Sequence, residues 1–193
     1  MSPILHYILK QPDNQIQGLI CPGHVASIKG ADYFKFIAED YNVPAAVCGF
    51  EAIDILRGIY YLVNQISNNE KRSFNNLYKR CVKPLGNSTA NQLIEEVFQV
   101  SHGEWRGIGK VENSVLTINK KYEKLNVEKN FTVKIENQIN TNKCACSDIL
   151  LGKKSPRECD LFNKKCNPLN PLGPCMVSTE GACAIAYRYR EEI

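Results

Sequence analysis

Six of the nine cysteines in this 193-residue chain fall in one stretch, CACSDILLGKKSPRECDLFNKKCNPLNPLGPCMVSTEGAC, from Cys144 to Cys183. Pro156, Pro168, Pro171 and Pro174 lie among them, with Gly152, Gly173 and Gly181. Such a segment cannot bury a large apolar core of its own. Small folds of this kind are held by disulfides or by a metal centre. The N-terminal stretch MSPILHYILKQPDNQ lacks a basic region followed by an apolar run and a small-residue cleavage site, so no secretory signal is read there. The expectation is a cytoplasmic, reducing compartment, where clustered cysteines bind metals or do chemistry. An odd total of cysteines also argues against a complete disulfide framework.

The spacings narrow the choice without closing it. No paired CxxC knuckle of the zinc-ribbon type occurs, nor the run of three cysteines two residues apart of bacterial ferredoxins. Cys159, Cys166, Cys175 and Cys183 would be supplied by four separate turns, which an iron–sulfur cluster accepts because its cysteines need only converge in space. Cys144 and Cys146 would then form a nearby dithiol. Zinc and disulfides stay open on spacing alone.

Ahead of the tail the chain alternates buried strands and helices. Residues 3–10 read as a short helix. The run 18–21, GLIC, and the run 44–48, PAAVC, are apolar and bounded by turn residues, which suits buried strands. Ala31 to Tyr41 and Ala52 to Ile66 carry helical spacing; in the second, Ile53, Leu56, Ile59, Tyr60, Val63 and Ile66 form the apolar face. Strand–helix–strand–helix predicts an α/β fold, a parallel sheet with flanking helices. Phe74 to Val82 and the stretch from Asn87 or Ser88 to about Phe98 read as further helices. Residues 103–109 read as a glycine-punctuated loop, Val115–Ile118 as a short strand, and residues 120–143 as a surface segment or linker. The expected division is an α/β domain over 1–137 and a small cysteine-rich domain over 138–193. A net charge of +4 is too weak and dispersed to argue for nucleic acid, and no apolar run is long enough for a bilayer.

Outside the tail, His24 in CPGHV follows the first strand at the edge where open α/β sheets bind ligands. The plain alternative is a histidine hydrogen-bonded in a loop. Glu51 and Asp54 flank the second strand's exit, with helix capping as their ordinary role. Trp105 and Arg106 offer a stacking plane and a cation, or an aromatic plug and a surface charge. Cys21, Cys48 and Cys81 read as small buried hydrophobes. Glu180 stands three residues before Cys183, either to tune that site or to begin a helix capped by Ser178.

The run CNPLNPLGPCMVSTEGACA, with CPGHVASIKG, GFEAIDIL, NLYKRCVKPLGNSTA and WRGIG in this order, resembles the C-terminal half of the hydrogenase maturation protein HypD family. The resemblance implies two α/β domains and a small domain with a 4Fe–4S cluster. It implies a role in assembling the Fe(CN)2CO unit of nickel–iron hydrogenase, with a HypC-like chaperone and with cyanide from a HypE–HypF system, HypE-like proteins being the donors. By position, Cys159, Cys166, Cys175 and Cys183 match the cluster ligands, with Cys146 as an alternative to one of them. His24 and Glu180 match residues near the assembly site; Cys144 and Cys146 are read from spacing as a redox dithiol beside the cluster. The family's CGGHT-like and CPVC-like motifs are missing. Ala52 replaces a usual proline, Asn113-Ser-Val115 a glycine-containing pattern, and Ser147 a glycine. The chain reads as a fragment, one half of a split protein, or a degenerate relative. The Fe(CN)2CO unit would be held only if a separate N-terminal half is supplied. The competing readings are a zinc-stapled binding module, docking through Trp105 and Arg106, and a thiol oxidoreductase working through Cys144 and Cys146.

Overall fold

The computed structural model describes residues 1–68, 71–105, 108–131 and 143–189. Three short parallel strands form its centre: β1 (Leu19–Pro22), β2 (Ala45–Cys48) and β3 (Phe74–Asn76), in the spatial order β1-β2-β3. Side chains alternate across a strand, and the two faces of this sheet differ accordingly. Cys21, Ala45 and Val47 point into the main core with Phe34, Ile37, Ala26 and Val82. That core is closed by α1 (Ser2–Leu9), α2 (Gly23–Lys29), a 3-10 turn at Ala31–Phe34 and α3 (Phe36–Tyr41). Phe34 and Ile37 are fully buried there.

The other face meets α4 (Ala52–Ser67). A Cβ on Gly58 would stand 2.4 Å from Cys48 Sγ, so this glycine lets the helix settle onto β2. Ala52 occupies the first helical position, which needs no amide donor; a proline would fit there, and alanine loses no hydrogen bond.

The expected strands at 18–21 and 44–48 are present, as are α1 and α4. Several expectations change. The single helix over Ala31–Tyr41 is a 3-10 turn running into α3 through Lys35, which keeps helical dihedrals. The stretch Phe74–Val82 is not a helix: Phe74–Asn76 forms β3, because its backbone completes the open edge of β2, and turns follow. The apolar face expected to bury α4 is exposed instead, at Ile53, Leu56, Ile59, Tyr60 and Val63, while Asp54, Gly58 and Leu62 face inward. Cys81 is exposed, on a turn beyond the sheet, while Cys21 and Cys48 are buried as expected.

Beyond β3 the chain forms α5 (Ser88–Val97), capped by the Asn87 side chain on the Ala90 amide. It leads directly into β4 (Phe98–Trp105), which pairs antiparallel with β5 (Gly109–Ile118). The glycine-punctuated stretch is thus mostly strand, with an irregularity at Ser101–Gly103 that absorbs the glycine. Asn113 takes φ +54°, a left-handed conformation that asparagine tolerates. Residues 120–130 hold a 3-10 stretch (Lys120–Leu125) and α6 (Val127–Asn130). Arg106, and the expected domain boundary at 137/138, lie outside the described residues.

Gly30 and Gly86 cross backbone to backbone. Both have positive φ, and a Cβ on either would fall within 2.3 Å of a carbonyl oxygen of the other loop, Pro84 O or Ile28 O. Hydrogen bonds from the Ala31, Asp32 and Asn87 amides to the Lys83, Pro84 and Ile28 carbonyls close the seam. It fastens α2 to the start of α5, and Asn91 Nδ2 adds a 2.8 Å bond to the Ile28 carbonyl.

Candidate metal centre and sheet-edge residues

The tail folds around its sulfurs. It consists of α7 (Cys146–Leu150), a 3-10 turn at Pro156–Glu158, α8 (Pro174–Val177) and α9 (Ala182–Arg188), joined by tight turns. Apolar side chains are scarce here, so thiols make up most of the interior. Cys146, Cys166, Cys175 and Cys183 are buried together with Met176 and Ala184, and Cys144, Phe162, Leu172 and Tyr187 pack against them. Cys159 is also buried, and its charge is felt at Cys144 and Cys183. All six tail cysteines are free thiols.

Local turns deliver each sulfur. Ser155 and Glu158 form a reciprocal capping box that sets the turn before Cys159. Cys166 closes a bridge to Phe162, and its Sγ accepts the Leu172 amide at 3.4 Å. Pro174 starts the helix that carries Cys175, and Gly181 precedes the one that carries Cys183. A Cβ on Gly181 would meet the Cys175 carbonyl at 2.3 Å, and one on Gly173 would meet Cys144 Sγ at 2.4 Å. Neither glycine can carry a side chain without pushing a cysteine aside.

The thiols perturb one another. The Cys146 S–H donates to Cys175, which holds the Cys175 thiol below its ordinary range and pushes Cys146 well above it. Burial, with Cys159 and the other tail sulfurs nearby, raises Cys183 to about 11. Burial also raises Cys144. Clustering several thiolates in a desolvated space is unfavourable without a cation to share them. As the side chains stand, no group of three or more His, Cys, Asp or Glu among the described residues is arranged around a single metal ion. A lone zinc draws its sulfurs to about 2.3 Å from one centre; an iron–sulfur cluster takes its cysteines around a larger object.

His24 belongs to a different place. It lies in the first turn of α2, past the C-terminal end of β1, and its exposed ring stacks on Phe50 at 4.2 Å between centroids. The expected sheet-edge position therefore holds. Asp54 is on the same edge, but not as a simple first-turn carboxylate. It is 2% exposed and takes a two-pronged grip from Arg80, Nη1 to Oδ1 at 2.8 Å and Nη2 to Oδ2 at 2.5 Å. Arg80 also lies over the Tyr78 ring and 3.6 Å from Glu51. The guanidinium holds the Asp54 carboxyl below the usual carboxylate range. Sequence reasoning placed Asp54 at this edge and missed Arg80, which stands in a basic stretch with nothing local to single it out.

Glu180 is exposed on the turn before α9, its amide bonded to Ser178 Oγ; no side chain caps that helix. Trp105 is engaged within the hairpin, its Nε1 donating to Ser114 Oγ at 2.8 Å. The tail is strapped to the body where the Gln15 amide meets the Leu151 carbonyl and Lys153 pairs with Asp13. No helix among the described residues is long and apolar enough to cross a membrane.

Comparison with known proteins places these residues in context. The family model described as HypD, hydrogenase formation hypA family, matches residues 1–190. The hydrogenase maturation factor HypD of Escherichia coli (strain K12) is 40% identical over 194 residues, covering 100% of this chain and 52% of the relative. Hydrogenase expression/formation protein HupD of Azotobacter chroococcum is 39% identical, covering 96% and 50%. A putative hydrogenase expression/formation protein of Methanocaldococcus jannaschii is 38% identical, covering 97% and 52%. The chain thus spans about half the length of the curated relatives it matches, and corresponds to their C-terminal half.

Proposed function

We propose, from the premise that this chain belongs to the HypD family of hydrogenase formation proteins, that it serves nickel–iron hydrogenase maturation as a thiol scaffold whose tail holds a 4Fe–4S cluster. One observation carries the reading: six free thiols, five of them buried, make up the interior of a segment with almost no other core. The donor set fits the group. It is all soft sulfur, which suits iron–sulfur clusters, and Gly173 and Gly181 let the backbone approach Cys144 and Cys175 closely.

Cys159, Cys166, Cys175 and Cys183 are the proposed ligands. Cys146 is the alternative, being buried in the same cluster and in hydrogen-bonding reach of Cys175. Binding would draw protons off these thiols, so loading favours higher pH. When bound, a cluster supplies electrons singly. His24, held flat by Phe50, offers a ring nitrogen to hold or move a proton at the sheet edge; Glu180 offers a carboxylate within the tail, on the turn before α9. An Fe(CN)2CO unit would be cargo rather than resident cofactor. A HypC-like chaperone and a HypE-like cyanide donor are the proposed partners.

The thiol oxidoreductase reading finds less support. A catalytic thiol is reached from solvent and lowered in pKa, whereas Cys146 is buried and both Cys144 and Cys146 are raised. The proposal is tested by purifying the chain without oxygen and measuring iron, acid-labile sulfide and absorption near about 400 nm. Iron and sulfide in equal amounts are expected. A colourless protein with about one zinc would reject the cluster.

A further inference from the structure

Two tight turns carry Cys166 into the interior of the tail and leave a distinctive surface behind it. In the first, Asn163 takes φ +55° and its amide donates to the Cys166 carbonyl at 3.0 Å, while the Cys166 amide donates to the Leu161 carbonyl at 2.9 Å. The loop folds back on itself, and Lys164 and Lys165 are left exposed. In the second, Asn167 Oδ1 accepts the Leu169 and Asn170 amides, both at 3.0 Å. Asn170 Nδ2 then donates to the Lys165 carbonyl at 2.9 Å, which ties the two turns together. Leu169 stands at the tip, 98% exposed, with exposed Pro168 and Pro171 on either side.

One exposed leucine is ordinary on a protein surface. This one sits on a turn that side-chain hydrogen bonds hold in shape, so a partner covering it orders little that was loose before. The charges beside it are equally available. Elsewhere in the tail Lys153 pairs with Asp13, Lys154 with Asp148, and Glu158 is engaged by Ser155. Lys164 and Lys165 enter no ion pair among the described residues. The run 163–171, NKKCNPLNP, holds two cations and no acid, the nearest carboxylate along the chain being Asp160. An apolar knob beside uncompensated positive charge complements an acidic surface with an apolar centre. What lies behind the patch says which acidic surface: Cys166 is buried there, its Sγ accepting the Leu172 amide.

We infer that Lys164, Lys165 and Leu169 form the docking surface for a small acidic one-electron carrier protein of the iron–sulfur type, seated over the turn that bears Cys166. The inference deepens the proposed function and rests on it. One electron leaves the reduced carrier and enters the cluster; the carrier is oxidised, the cluster is reduced, and no proton or group crosses. Electron transfer weakens steeply with distance, so a carrier has to sit close to a ligand. Such encounters use small interfaces, under about 1,200 Å², which a two-turn loop and its surroundings can supply. The lysines speed the encounter, and Leu169 fixes where the carrier comes to rest.

The test loads the full chain with iron and sulfide without oxygen and uses an acidic 2Fe–2S ferredoxin as the probe, because its spectrum differs from that of a 4Fe–4S cluster. Stopped-flow absorption follows electron transfer from the reduced probe, and calorimetry follows binding of the oxidised one. Expected are saturable reduction of the chain's cluster and an affinity that falls as salt screens the charges. Lys164→Glu combined with Lys165→Glu is expected to lower affinity and rate about tenfold or more. Leu169→Ser is expected to weaken binding about fivefold with the salt dependence unchanged, and it gives the reading if the double variant does not fold. Reduction by dithionite, which needs no docking surface, stays as in the wild type for every variant, and Lys110→Glu on the hairpin leaves binding unchanged. Unchanged affinity and rate in the surface variants, an equal loss in Lys110→Glu, or a homodimer of the loaded chain that Leu169→Ser breaks overturns the inference. A loaded chain that the probe neither binds nor reduces overturns this inference alone; a chain that retains no iron and sulfide overturns the cofactor reading and this inference with it.

Discussion

Arg80 holds Asp54 through both guanidinium nitrogens, and in doing so ties the first turn of α4 to the turn that follows β3. The carboxylate is buried while the arginine is half exposed. Removing the arginine alone would leave a buried charge without its partner, which is the costly way to break such a pair.

Arg80→Ala is therefore expected to lower the thermal midpoint more than Glu51→Gln does, since Glu51 is exposed and sits at the longer 3.6 Å distance. The pH dependence follows from the direction of the shift. The folded Asp54 carboxyl lies below its unfolded value, so its contribution is complete above that value, about 3.9, and is lost as pH falls through the folded one. Asp54→Asn should flatten the acid limb of a stability-versus-pH curve measured by urea unfolding. An unchanged acid limb would count against the pair.

Core and surface are separated by a second pair of substitutions. Phe34 is fully buried, so Phe34→Ala should cost about 3–5 kcal/mol. Leu56 is 60% exposed in the free chain, and Leu56→Ala should stay within about 0.5 kcal/mol. Denaturant melts of the two variants decide it; a Leu56→Ala loss comparable to Phe34→Ala would mean that α4 faces the other way.

Thiol labelling reads the cysteine environments directly. Alkylation of the folded, metal-free chain at neutral pH should modify exposed Cys81 first. Cys21, buried and raised to about 12, should label at least about tenfold more slowly, because the thiolate is the reacting form. Peptide mass spectrometry over a time course measures both. Equal rates would contradict the described burial.

Within the tail, Cys175→Ser and Cys183→Ser should each abolish iron retention. Gly173→Ala should reduce it, because the added methyl collides with Cys144 Sγ. Comparing Cys146→Ser with Cys159→Ser by iron and sulfide content identifies the fourth ligand: the variant that keeps its cluster names the spare thiol.

The parallel sheet was legible because two short apolar runs bounded by turn residues leave few other structures open. The length of α4 was legible from its periodicity, but its orientation was not. Periodicity shows that an apolar face exists, and not which neighbour covers it; Gly58 and Cys48 Sγ claimed the inner side through close approach, a three-dimensional fact. Phe74–Asn76 misled for a related reason, since a three-residue segment with two asparagines becomes a strand only when an edge such as β2 is there to pair with it. In the tail, the clustering of sulfurs was readable from count and composition. The pairing of Cys146 with Cys175 was not, because it depends on how two turns far apart in sequence face each other.

The glycine crossing at Gly30 and Gly86 has a mechanical consequence. With no side chain between the two loops and backbone hydrogen bonds on both flanks, the helix carrying His24 is fastened to the helix leading into the β4–β5 hairpin. The β4–β5 hairpin is thus anchored twice, at that clasp through α5 and again where β5 packs against α1.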